Sequence, residues 1–208
     1  MKIALHPKLS KEELLQEGLT RCLAFLDAHN LRKPHHIFTD VKSANKYSRG
    51  YLRQKWCGAQ LYENSEYSVA INLKNCRVAT RVPGWSWTYP GYKVDLTPFG
   101  VICHEFGHHI DAVLGFSNEV SSLREWKKVV DHEEEVSGYE PNYQEAWAEA
   151  FRLFIANPSL LKAGRPERWE YFTEKIGLVP PHASPWKYVL KHAHPKILSA
   201  AKNWISNS

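Results

Sequence analysis

Long apolar runs are missing from this sequence. No stretch approaches the roughly 20 residues that a helix needs to span a bilayer. Met1-Lys2-Ile3-Ala4-Leu5-His6-Pro7 has neither the apolar region nor the small-residue cleavage site of a signal peptide. The expectation is a cytoplasmic protein with no membrane partner. Closely paired cysteines are missing too: Cys22, Cys57, Cys76 and Cys103 form no CxxC, so there is no zinc ribbon and reduced structural thiols are expected. No repeat or Ser/Gly-rich linker divides the 208 residues, which read as one domain, 1–208, with one sizeable core. Strong charge asymmetry is also lacking. The formal net charge of +5 comes from scattered lysines and arginines, with a modest basic bias from Lys187 to Lys202, and nucleic acid is not indicated.

What is present is concentrated in the middle of the chain, at His104-Glu105-Phe106-Gly107-His108. Thr97 suits an N-cap and Pro98 the first helical position, and Phe99, Val101, Ile102 and Phe106 supply apolar surface, so this HExxH sequence falls inside a helix. Positions i and i+4 lie on one helix face, which lets both imidazoles reach one metal ion. Glu105 projects about 100° around the axis from His104 and can address a metal-bound water instead. Two ligands for one Zn2+ and a general base are thereby specified. The plainer alternative is a core helix whose histidines only find hydrogen bonds. Cys103 lies off the ligand face and is not assigned as a ligand, and His109 points away from it.

A catalytic zinc site takes three protein ligands and leaves the fourth position to water. The metzincin extension would require Gly at 111 and His at 114. This chain has Asp111 and Leu114, and its one methionine, Met1, cannot form a Met-turn. Downstream, the helix-forming run from Pro141 to Phe154 carries Glu145 and Glu149 on one face at i, i+4. Glu145 is the best third ligand. Ala146, Ala148 and Ala150 allow close approach to the HExxH helix, while Trp147, Phe151 and Phe154 supply packing surface. Glu149 is placed to accept the second ring N–H of a liganding histidine; its alternative is an exposed pair with Arg152. Asp111, one turn beyond His108, reads either as a similar support or as an acidic surface or packing residue.

The pairing of HEFGHHID with a later EAWAEAFRLF resembles the gluzincin peptidase domain of the anthrax lethal factor type and its small stand-alone relatives. The first motif matches at His104 to His108 and Asp111, the second at Glu145 and from Ala148 to Leu153, so the likeness covers roughly residues 97–157. The resemblance implies His104, His108 and Glu145 as zinc ligands, Glu105 as general base and Glu149 as support for a ligand. It also implies a tyrosine shortly before the third ligand that donates to the oxyanion. Tyr139, in the Ser137-Gly138-Tyr139 loop, is favoured over Tyr143, although its spacing to Glu145 is one residue shorter than in the relative. Tyr143 reads otherwise as a packing residue at the helix start.

The remaining organisation suits an α+β, zincin-like domain. Ser10-Lys11-Glu12-Glu13 is a capping box opening an amphipathic helix to about Asn30, expected to back the sheet. Strands are expected at His36–Thr39, Gly58–Tyr62 and Tyr67–Leu73, the last two joined by a turn in a small mixed sheet. In zincins generally an edge strand binds extended substrate, and Val69–Lys74 is the candidate, a plain internal strand being the other reading. An aromatic loop spans Pro83–Tyr92. After the HExxH helix and the glutamate-bearing helix come shorter helices, broken at Asn157-Pro158 and Gly164-Arg165-Pro166. A helical C-terminus follows from Pro185 to Ile205, kinked at Pro195. His35-His36, His132, His192 and His194 read as surface residues. The implied function is a zinc-dependent endopeptidase acting on a protein or peptide substrate. The alternatives are a regulatory peptidase that cleaves a single repressor target, a DNA-linked SprT-like protease, and a non-enzymatic zinc-containing protein-binding module.

Overall fold

The structure is a computed structural model that describes residues 10–49, 52, 56–63, 66–77, 95–115, 119–156 and 158–181. The aromatic loop, the basic stretch and the C-terminal helix anticipated above lie outside the described residues. The capping box is present: Ser10 Oγ accepts the Glu13 N–H at 3.1 Å and Glu13 Oε2 takes the Ser10 N–H at 2.6 Å. The first helix, α1, covers Lys11–Ala28. It stops short of Asn30 because that residue takes φ 51°, in the left-handed region, where a helix ends.

β1 (Ile37–Phe38) is shorter than expected, and a short helix, α2 (Val41–Tyr47), adds to the expected elements. Asp40 caps α2 by accepting the Ser43 N–H at 2.7 Å. β2 (Gly58–Glu63) and β3 (Glu66–Ile71) form the anticipated antiparallel hairpin, with Glu63 opposite Glu66. β1 runs parallel to β3, so the sheet is mixed and its order is β1-β3-β2. This order corrects the edge-strand expectation. Val69–Ile71 of that candidate lie in the central strand, where Val69 and Ala70 are paired on both sides, so the plain internal strand is the reading that holds. The edges are β1 and β2.

Thr97 and Pro98 start α3 (Pro98–Leu114) as anticipated, the threonine hydroxyl accepting the Gly100 N–H at 3.1 Å. A single 3-10 turn at Val120–Ser122 leads into α4 (Arg124–His132). α5 (Tyr143–Ala156) begins where Asn142 Oδ1 accepts the Glu145 N–H at 2.9 Å. α6 (Pro158–Gly164) and α7 (Pro166–Glu170) follow the predicted punctuation and run into one π-helical turn, Tyr171–Lys175. Among the described residues no helix is long and apolar enough to cross a membrane.

The mixed α+β core forms around α3. Its principal partner is α5, and it packs on β2 and β3 on another side. α1 lies chiefly against α3, and its buried residues share one core with Val69 and Ile71 of β3. α3 and α5 approach so closely that a Cβ on Gly107 would stand 2.8 Å from Ala148 Cα, so glycine and alanine are required at the crossing. Trp147 closes it by donating from Nε1 to the Gly107 carbonyl at 3.0 Å. Trp147, Phe151 and Phe154 are fully buried, each contributing roughly 1.5–3 kcal/mol of apolar burial. The consequence is a rigid frame holding one face of α3 against one face of α5.

Candidate metal centre

At that crossing three side chains converge. His104 Nε2 and His108 Nε2 lie 3.1 Å apart, and Glu145 Oε2 stands 3.0 Å from the first and 3.5 Å from the second. The two imidazoles share a face because they are one turn apart on α3. Glu145 meets them because Asn142 starts α5 three residues earlier. These residues form the one group of three or more His, Cys, Asp or Glu side chains, among the described residues, whose geometry can hold a metal ion. The carboxylate oxygen Oε2 of Glu145 is buried, and although close to both imidazoles it has no well-angled hydrogen bond. The three candidate ligand atoms all lie within 4.8 Å of one another.

Charge at the site follows from this crowding. Burial disfavours the charged imidazole of His104, but Glu145 and Glu149 outweigh it and raise the group to about 10. Burial likewise disfavours the Glu145 carboxylate, and the two histidines override it and hold the group at about 2. A cation held by these residues would take the place of the proton on His104 and would meet an ionised Glu145 carboxylate.

His104 Nδ1 donates to Glu149 Oε1 at 2.8 Å, which fixes the ring and directs Nε2 toward His108 and Glu145. Glu149 also takes a two-pronged ion pair from Arg152: Nε reaches its oxygens at 3.1 and 3.2 Å and Nη2 reaches Oε2 at 2.8 Å. Both partners are 1% exposed, so the Glu149–Arg152 pair is a core feature and not the exposed i, i+3 contact weighed from the sequence. Burial opposes ionisation of Glu149, yet the Arg152 guanidinium and His104 hold it well below the ordinary carboxylate range.

Glu105 lies beside the histidines, buried, without joining the three converging atoms. Its carboxylate rests against Gly58 at the start of β2, where any Cβ would collide with it, and the Gln60 backbone N–H favours its charged form. Burial pushes its pKa up, partly countered by His104 and His108. Tyr139 stands over the site with its ring centroid 5.9 Å from that of His104, and burial together with the Glu145 charge raises its phenol, keeping it a proton donor at neutral pH. Tyr143 is directed elsewhere: its hydroxyl donates to Asp131 at 3.0 Å. Both tyrosines precede Glu145, and only Tyr139 lines the cleft.

Asp111 is brought to Ser121 rather than to a histidine, accepting the Ser121 N–H at 2.7 Å and its hydroxyl at 2.5 Å. It is 2% exposed, so the surface reading is also set aside. Burial raises it to about 6 despite those two hydrogen bonds. A raised folded-state value favours the protonated form, so its contribution is full below about pH 4 and is lost as the pH climbs through 6. Asp111→Asn keeps an acceptor for the N–H and a donor for the hydroxyl while removing the buried charge. The variant is expected to be more stable than the parent at pH 8 by on the order of 3 kcal/mol, and so to melt higher, with the difference vanishing near pH 4. Thermal melts at the two pH values check this.

A cleft of about 520 Å³ opens over these groups, walled by Trp56 to Gln60 on one side and by Glu119, Tyr139 and Gln144 on the other. Sequence reasoning did not anticipate the β2 wall, Glu119 or Gln144. Glu119 is hydrogen-bonded by Gln144, a contact across 25 residues that no local pattern signals. His109, assigned away from the metal face, is buried and donates to the Arg32 carbonyl at 2.7 Å. Cys103 is buried with its sulfur 3.7 Å from that of Cys22, and all four cysteines are free. No protein-family model, curated protein or solved structure matches this chain.

Proposed function

We propose that the protein is a zinc-dependent endopeptidase with a zincin-like fold, in which His104, His108 and Glu145 hold the metal. The observation that carries this reading is the convergence of two imidazole nitrogens and one carboxylate oxygen within 3.0–3.5 Å of one another. Ligands at 2.0–2.1 Å around a tetrahedral ion are separated by roughly 3.3 Å, so the donor set fits zinc in both spacing and chemistry. Nitrogen and carboxylate donors in a three-ligand set suit a catalytic rather than a closed structural site. A zinc ion bound there supplies Lewis acidity toward the scissile carbonyl and lowers the pKa of water towards about 7.

The remaining roles fall to the chain's own side chains. Glu105, buried next to the donors with its affinity for protons raised, takes the proton of the attacking water and returns it to the leaving amine. Tyr139 donates to the oxyanion that develops on the carbonyl. Glu149 keeps His104 in one tautomer. β2, one of the two edge strands among the described residues, borders the cleft beside Glu105, and its outward backbone groups can align an extended peptide across the site. Glu105 speaks against a purely structural zinc module, which needs no base.

The test is chelation and reloading with an unstructured protein as substrate. Stripping metal is expected to abolish cleavage and one equivalent of zinc to restore it; cleavage that survives chelation would contradict the proposal. Glu145→Ala is expected to weaken zinc binding by more than the roughly 10–100-fold that loss of an outer partner costs. Competition titration against a chelating dye reads that loss directly. An unchanged affinity would remove Glu145 from the ligand set.

A further inference from the structure

Tyr139 sits on a stretch, residues 133–142, that has neither helix nor strand to hold it. Its position therefore depends on side chains. Arg168 of α7 is fully buried; its Nη1 pairs with Glu140 Oε2 at 2.8 Å and its Nη2 donates to the Glu134 carbonyl at 3.3 Å. Arg165, immediately before α7, donates from Nε and Nη2 to the Glu135 carbonyl at 3.1 and 2.5 Å. Glu140 turns its other oxygen back over the loop to accept the Val136 N–H at 2.6 Å and the Ser137 N–H at 3.2 Å. Ser137 Oγ then accepts the Tyr139 N–H at 3.2 Å. At the start of the segment, Glu133 accepts the Glu167 and Arg168 N–H groups at 2.7 and 3.1 Å.

A buried Arg–Glu pair is a weak source of stability, because desolvation consumes most of the Coulomb gain. Its distinctive property is a planar fork of donors that fixes the direction of whatever accepts from it. Here most of the acceptors belong to the loop that carries Tyr139, namely the Glu134 and Glu135 carbonyls and the Glu140 carboxylate, the others being the Gly164 and Ala146 carbonyls. We propose that Arg165, Arg168 and Glu140 are positioning residues for Tyr139: they clamp residues 133–140 onto α7 so that the phenol is held over the metal-binding histidines. The proposal rests on the reading of Tyr139 as the oxyanion donor.

The test uses the zinc-loaded full chain with Glu140→Gln, and with the Glu140→Gln/Arg168→Met pair, which removes both buried charges together and so leaves neither stranded. Each is made with Tyr139 intact and with Tyr139→Phe. With Tyr139 intact, kcat is expected to fall about tenfold with KM nearly unchanged. With Tyr139→Phe there is no further fall, because the clamp then has nothing to position. Hydrogen exchange at the Val136, Ser137 and Tyr139 amides should quicken, while zinc affinity and exchange within α3 and α5 stay at parental values. Unchanged loop exchange, or the same kcat loss in both backgrounds, overturns the clamp. Full activity of Tyr139→Phe alone overturns the catalytic reading of Tyr139 and its positioning with it. If the parent cleaves nothing, the peptidase reading fails, and loop exchange still decides whether the clamp orders this segment.

Discussion

Glu105→Gln is expected to cut peptide hydrolysis by about 10³-fold while leaving zinc occupancy and folding intact. The carboxylate is not one of the three converging donor atoms, so its loss does not weaken the metal site. Glutamine fits beside Gly58 because it has the same shape, and it retains an oxygen to turn toward the Gln60 N–H. It also removes a buried charge whose raised pKa marks the carboxylate as costly there, so the variant should melt no lower than the parent. What it cannot do is accept a proton. Kinetics on metal-loaded protein, with zinc content and melting temperature measured on the same sample, separate these effects. A kcat within tenfold of the parent would take the role of base from Glu105.

Arg152→Met is expected to destabilise the fold by about 3–5 kcal/mol, equivalent to a drop in melting temperature of roughly 10 °C for a chain of this size. The arginine is buried against Glu149, which is itself buried and ionised, and methionine leaves that carboxylate with His104 as its one remaining charged hydrogen-bond partner. Zinc affinity should fall as well, because Glu149 is then freer to move away from His104 Nδ1. Adding Glu149→Gln to Arg152→Met should recover much of the stability, since no unpaired charge remains, without recovering the affinity. Thermal melts and zinc titrations of the two single variants and the double variant form a closed cycle. A melting temperature for Arg152→Met within 2 °C of the parent would mean that the pair carries no such weight.

The features legible in the sequence are those governed by local rules. Ser10 and Glu13, Thr97 and Pro98, and the i, i+4 spacing of His104 and His108 each act within one turn of helix, and the structure reproduces them. The approach of α5 to α3 was also readable from the small residues Ala146, Ala148 and Ala150, and the structure sets Ala148 against Gly107. Strand order was not readable. β1 contributes two residues in parallel pairing with β3, and nothing in so short a run states which neighbour it will choose. The surroundings of Asp111 and Arg152 were hidden for a different reason. Their spacing along the helix is the same whether the face is wet or buried, and only the packing of other elements decides which. The clamp on the Tyr139 loop joins residues about 30 positions apart through backbone carbonyls, and carbonyls carry no sequence signature.

The most direct test of the metallopeptidase reading is a mass-spectrometric census of new protein N-termini in a cytoplasmic extract. The extract is treated with the zinc-loaded protein or with Glu105→Gln at matched zinc occupancy. The account predicts new termini with the parent alone, and the sequences flanking them would reveal the target and its side-chain preference together. Identical termini in the two samples would contradict peptide-bond hydrolysis by this site in that extract.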